Sequence, residues 1–250
     1  MIKMNEKYDD QEWLIRLNLA ACYHLADHFH MSDIIWNHIT AKTSLNKETF
    51  LINPFGLRYD EITASNLIEI TSDGKLVDSK SNASINDTGF IIHGAIHQAR
   101  QDINCVMHTH SRAGLAISAL KEGLVPMIQD TAVFHNRVSY HDWEGMSTDQ
   151  DECKRLAKSL GNNKVMILRN HGLLTCGETI REAFMLMYYL DKACKNQIDV
   201  MSTNMETIIP SNNIMEYAAG QYDDPRFKLG DHEWPALLRL LDKKKSIYKT

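Results

Sequence analysis

No stretch of this 250-residue chain approaches the ~20 apolar residues that a membrane-crossing helix needs. The opening, MIKMNEKYDDQEWLIRLNLA, is too charged for a signal peptide. Cytoplasm, with no membrane partner, is the expectation. Cysteine is sparse: Cys22, Cys105, Cys153, Cys176 and Cys194 are odd in number and scattered, with no C-x-x-C pair. That speaks against a disulfide framework and a thiolate zinc site, and for reduced, mostly buried thiols. A basic excess is missing as well, since 27 Lys and Arg stand against 32 Asp and Glu, a net charge of -5. Nothing therefore recommends nucleic acid or an anionic surface as partner, and Lys243-Lys244-Lys245 reads as a solvated end. Without an export signal, the N-x-[ST] matches at Asn82 and Asn86 carry little meaning. There is no G-x-G-x-x-G, Walker loop or G-x-S-x-G, so no motif supports nucleotide binding or serine hydrolysis. Repeats, linkers and low-complexity tracts are absent too.

What is present suits a globular α/β protein: 44% hydrophobic and 24% charged residues on a length that one domain can hold. Apolar periodicity predicts an opening helix over 10–30, capped by Asp9 or Asp10. Short β-like pieces follow at 34–42 and 49–53, broken by Pro54-Phe55-Gly56, with a strand or helical turn at 65–70 and a turn at 71–74. Helices are expected over 87–100, 113–120, 150–159 and 179–201, and strands over 104–110 and 165–168. The run Val165-Met166-Ile167-Leu168 has no polar alternation, as in a strand buried on both faces. Past Asn204 the pattern fades to a turn at 208–210 and a short helix over 234–241. The expectation is one domain, residues 1–205, with an extension, 206–250, packed on it.

Histidine is abundant, at 12 residues, and two stretches use it with a mechanism. In Cys105-Val106-Met107-His108-Thr109-His110-Ser111 an apolar strand emerges carrying imidazoles two positions apart. Side chains alternate across a strand, so His108 and His110 share a side and can converge on one cation. In Val165-Met166-Ile167-Leu168-Arg169-Asn170-His171-Gly172 a second apolar strand ends in a histidine, with a glycine to let the backbone turn. Three imidazoles with one position open is the pattern of a catalytic metal. Hydrogen-bonded capping of buried strands is the alternative, and the second strand-His-Gly weighs against it. His93 and His97 lie one helical turn apart, but Gly94 replaces the glutamate of H-E-x-x-H, so a metalloprotease fails. His93 reads as a supporting or packing residue, and His24, His28 and His30 as surface or helix-end residues.

The ordered motifs Asp87-Thr88-Gly89-Phe90-Ile91-Ile92-His93-Gly94, Val106-Met107-His108-Thr109-His110-Ser111 and Leu168-Arg169-Asn170-His171-Gly172 resemble the class II aldolase/adducin family. Phe50 to Leu57, with Asp60-Glu61-Ile62-Thr63-Ala64-Ser65, is similar to adducin heads and their bacterial relatives. The likeness spans residues 10–205. It implies a three-layer α/β/α sandwich around a mostly antiparallel sheet, in a homotetramer with active sites between subunits. It also implies Zn2+, or another divalent metal, on His108, His110 and His171, acting as a Lewis acid on a carbonyl-bearing small molecule.

The sequence departs from the family where the aldolases place their acid/base glutamate, four residues before the helix histidine. Gly89 stands there and cannot move a proton. The phosphate-binding Thr-Gly aligns with Phe55-Gly56, and Gly-Asn with Asn37-His38, which argues against a sugar phosphate. Proton transfer would fall to Asp87, Asp130, Asp142, Glu144, Tyr140 or His141, of which Asp87, His141 and Glu144 are the catalytic candidates. A turn after a strand is the plainer reading of the cluster at 140–145. A metal-dependent lyase on a non-phosphorylated hydroxy-carbonyl compound leads. An adducin-like scaffold without chemistry is the alternative, and sugar-phosphate epimerisation stands behind both. Adducins bind the cytoskeleton through a neck and a basic tail, and the chain stops at Thr250 with no such tail, so that role is not expected.

Overall fold

The computed structural model describes residues 7–43, 48–72, 74–78, 83–145 and 150–250. Helix α1 (Asp10–His28) starts where the Asp9 carboxylate accepts the Glu12 amide at 2.8 Å, filling one of the orphan donors of a helix start. It buries Leu17, Ala20, Ala21 and Leu25, residues at helical spacing. Strands β1 (His38–Lys42), β2 (Thr49–Ile52) and β3 (Ile68–Thr71) follow, then α2 (Asp87–Ala99), β4 (Cys105–Thr109) and α3 (Arg112–Ser118). Next come β5 (Val138–His141), α4 (Gln150–Leu160), β6 (Val165–Leu168), β7 (Gly172–Gly177) and α5 (Ile180–Ser202). Two C-terminal helices, α6 (Asn212–Gln221) and α7 (Glu233–Lys243), close the chain.

Among the described residues, seven strands form one sheet in the order β3-β2-β1-β4-β7-β6-β5. Every neighbouring pair is antiparallel except β5 with β6, so the sheet is mixed. Alternate side chains of the central strands feed two separate apolar clusters. Cys105, Met107, Val165, Ile167 and Leu173 join residues of α1, α3 and α5. Val106, Met166, Leu168, Leu174 and Cys176 join Ile92 and Ile96 of α2 and Leu156 and Leu160 of α4. Helices thus cover both faces, and β6 is buried along its whole length, as its unbroken apolar run predicts.

The α5 face expected from the periodicity (Ala183, Phe184, Leu186, Met187, Leu190, Ala193, Cys194) is the face that is buried. Three elements carry no clear signal in the sequence. Strand β7 is buried on both sides and bounded by glycines, so it shows no alternation, and β5 is only four residues long. Helix α6, capped by the Ser211 hydroxyl, buries just Met215 and Ala219. His24 is a correction: expected at the surface, it is buried, with Nε2 2.7 Å from the Ile62 carbonyl oxygen and Nδ1 2.7 Å from Ser246 Oγ.

Candidate metal centre

His108 lies on β4 in register with His38 of β1 and Leu174 of β7. Its side chain shares the face of Val106, whereas Thr109 turns the other way and donates to Met187 Sδ. His110 follows immediately after β4, on the His108 side. His171 sits in the tight link between β6 and β7, flanked by Asn170 at φ +56° and Gly172 at φ +154°. The His171 ring lies 4.8 Å from that of His108 and 5.1 Å from that of His110, centroid to centroid. The candidate ligand nitrogens of the three all fall within 4.8 Å of one another.

The hydrogen bonds assign the tautomers. His108 Nδ1 lies 2.9 Å from the Leu173 carbonyl oxygen, which can only accept, so Nδ1 carries the proton. His110 Nδ1 lies 3.2 Å from the Asp33 carboxylate, and the same reasoning applies. Both Nε2 atoms are then bare, and they face each other at 3.0 Å. Two lone pairs cannot satisfy one another; a proton or a metal ion between them can. Protonation of His108 and of His171 is opposed. Burial, then the neighbouring His171 and His110, hold His108 well below the ordinary range, and burial followed by His110 lowers His171 to about 4. The donor set and its fixed tautomers fit a divalent cation, with carbonyl and carboxylate partners of the kind that orient metal-bound histidines.

The backbone keeps this cradle small. A Cβ at Gly172 would stand 2.5 Å from the Thr109 carbonyl oxygen, 3.1 Å from His110 Cδ2 and 3.4 Å from His108 Cε1. Asn37, at φ +70°, accepts the His110 amide on Oδ1 at 3.1 Å. Behind the triad, Thr40 Oγ1 lies 2.8 Å from His93 Nδ1 and 2.9 Å from His97 Nε2. His97 Nδ1 faces the Ile103 carbonyl oxygen at 3.4 Å and donates to it, so His97 Nε2 accepts from Thr40. Thr40 in turn accepts from His93 Nδ1, leaving His93 Nε2 a buried acceptor without a hydrogen-bond partner. Burial first, then the histidines around it, hold His93 well below its ordinary range. His93 is therefore a buried supporting residue whose ring stands 4.1 Å from that of His38.

The other candidates whose side chains are described are placed apart. Asp87 opens α2, and its side chain lies outside the described residues. His141 ends β5, three strands from β4 in the sheet order. Its Nδ1 is 3.0 Å from Ser159 Oγ, and its Nε2 is 3.8 Å from Glu144. Glu144 is clamped by Arg155 at 2.5 Å, and Asp130 is paired with Lys192 at 2.9 Å. Tyr140 accepts the Leu124 amide at 3.1 Å, and Asp142 is exposed. No described contact joins any of them to the triad. Sequence reasoning missed Asp33 and Thr40. His38 and Thr40 stand two apart on a strand, a same-face spacing that could have revealed Thr40. Asp33 precedes β1 with no spacing rule to mark it.

Comparisons with known proteins bear on the family and the fold. The profile of the family described as "Class II Aldolase and Adducin N-terminal domain" matches residues 17–198. A crystal structure of an aldolase II superfamily protein from Pseudomonas syringae superposes with a TM-score of 0.93 at 41% identity, covering 98% of each chain. Alpha-adducin of Rattus norvegicus is 40% identical over 249 residues, 94% of this chain but only 34% of the adducin. L-fuculose 1-phosphate aldolase from Glaciozyma antarctica superposes with a TM-score of 0.83 at 25% identity, covering 99% of this chain and 98% of that one.

Proposed function

The chain belongs to the class II aldolase and adducin family, and from that premise we propose that it is a divalent-metal-dependent lyase acting on a small, non-phosphorylated hydroxy-carbonyl or hydroxy-acid compound. The observation that carries this reading is the pair of bare Nε2 atoms of His108 and His110, 3.0 Å apart with His171 beside them. When bound, the ion, zinc as first choice, supplies Lewis acidity to an oxygen of the substrate. His108, His110 and His171 would hold it, with Asp33 and the Leu173 carbonyl fixing two of the rings. Proton transfer falls to Asp87, His141 or Glu144. Arg155 already engages Glu144 and Ser159 engages His141, which favours Asp87, two residues before Gly89 on α2. The same reading includes a three-layer α/β/α arrangement, supported by the two clusters on opposite faces of the sheet. It also includes a cytoplasmic homotetramer, as the family resemblance implies.

A second reading, an adducin-like scaffold that keeps the metal site without chemistry, has its own support in Gly89 and in the ion-paired carboxylates. Elemental mass spectrometry of protein purified without a histidine tag tests the pair. About one metal per chain, lost in His108→Ala and His171→Ala, together with retro-aldol or decarboxylase turnover in a hydroxy-acid and aldol panel, is the expected result. A loaded protein inert across that panel would favour the scaffold, and co-sedimentation with actin filaments would then be the check. A chain that takes up no zinc even on incubation would sink the metal reading.

A further inference from the structure

Residues 33–37 form a tight turn against the triad. The Trp36 amide donates to the Asp33 carbonyl at 2.8 Å, and the two residues pair as an isolated antiparallel bridge. Side chains bridged in this way stand on the same side of the ladder. The Asp33 side chain points at His110 Nδ1, and the Trp36 side chain leaves the turn on that same side. The turn is tied a second time by Asn37, whose Oδ1 holds the His110 amide. Between these ties Ile34 sits at φ +51° and is 69% exposed, a strained backbone for a β-branched residue and one that the two anchors impose. Trp36 is 49% exposed, and its ring lies 5.6 Å from that of Phe55 at 56°. Phe55 is fixed by its amide to the Ser84 carbonyl at 2.9 Å, on the approach to α2. Beside it a Cβ on Gly56 would meet nothing within 4 Å, so there is open space next to the pair.

Neither turn offers a phosphate a cationic side chain. Residues 33–37 and 53–57 contain no lysine or arginine, and the neighbouring Arg58 is spent on Asp60 at 2.9 Å. We propose that Trp36 and Phe55 form an aromatic wall beside the histidine triad that receives a planar apolar group of the substrate. The hydroxy-carbonyl compound this site takes then carries an aryl-type substituent. The proposal rests on the metal-site reading above and adds the specificity to it. An exposed indole tilted against a second ring suits such a group, because aromatic faces and edges attract one another and gain from leaving water.

Calorimetric binding to the zinc-loaded full-length chain separates the possibilities, with mandelate and lactate as probes that differ only in phenyl against methyl. Mandelate should bind about tenfold or more tighter. Trp36→Ala and Phe55→Ser should each shrink that ratio severalfold, with the loss falling on mandelate far more than on lactate. Zinc content and melting temperature serve as controls for folding. Equal affinities in the unaltered protein, or a ratio that survives both substitutions, overturn the aromatic wall and leave the metal site standing. Binding of neither acid by the zinc-loaded chain also overturns the aromatic wall, while the metal site is judged by zinc content alone. If Trp36→Ala instead dissociates an oligomer in sedimentation while the mandelate preference persists, the indole belongs to an interface between copies, and the proposal fails. Because the readout is binding, an absence of lyase turnover counts against the reaction alone.

Discussion

Replacing Gly172 by alanine would put a methyl 2.5 Å from the Thr109 carbonyl oxygen and 3.1 Å from a carbon of the His110 ring, at a φ of +154°. Overpacking of this kind costs about 1–3 kcal/mol, before the strained backbone is added. The expected outcome is a lower melting temperature and a metal content well below that of the unaltered chain, read by thermal unfolding and elemental analysis. At Asp33 the change is subtler. Asp33→Asn removes the carboxylate that holds His110 Nδ1 but leaves the fold, and metal affinity should fall by about 10–100-fold in a competition titration with a chelator. Affinity unchanged by Asp33→Asn would show that the ring needs no such anchor.

The chain of bonds between β1 and α2 concerns elements rather than one residue. Thr40 of β1 serves two histidines of α2 at once, so Thr40→Val strands His93 Nδ1 and His97 Nε2 in a buried setting. Unsatisfied buried groups of this kind cost about 1–3 kcal/mol each, so a loss of roughly 2 kcal/mol or more is expected in urea unfolding. The same contact predicts a pH response. Burial, then the Lys42 charge, lowers His97 from 6.5 to about 3, whereas the unfolded chain takes up that proton near its ordinary value. The unfolded state therefore binds more protons between these limits. Stability from His97 is complete above about pH 6.5 and is lost as the pH falls toward 3. Equilibrium unfolding of metal-free protein should show this slope, and His97→Gln should reduce it by the share of one proton, with His93, His108 and His171 supplying the rest.

At the scale of the molecule, the C-terminal segment shares the main apolar cluster. Trp234, Leu241 and Tyr248 are buried in it, and the Ala64 and Ser65 amides donate to the Tyr248 and Thr250 carbonyls, each at 3.0 Å. We propose that residues 206–250 fold with residues 1–205 as one unit. Deleting them should cost on the order of 5 kcal/mol from three large apolar side chains alone, giving an aggregating or unfolded product by circular dichroism and gel filtration. A truncated chain that melts cooperatively near the full-length temperature would refute that unity.

Much of this was legible in the residues, for identifiable reasons. A 3.6-residue or unbroken apolar period marks an element whatever surrounds it, so α1, α5 and β6 could be located from local pattern. The two-residue spacing of His108 and His110, and a histidine followed by glycine after a buried strand, put the triad within reach as well. Strand β7, four-residue β5 and weakly buried α6 lack such a pattern, since neighbours rather than local periodicity hold them. Only the tertiary structure could bring Asp33 to His110, link Thr40 to two histidines of α2, bury His24 under the C-terminal segment and set Trp36 against Phe55. The sequence by itself determined the residue types and the local periods, because both are properties of neighbours along the chain. Which tautomers the histidines hold, which carboxylates are already engaged by arginine or lysine, and what stands beside the triad depend on contacts between distant segments, and only packing decides those.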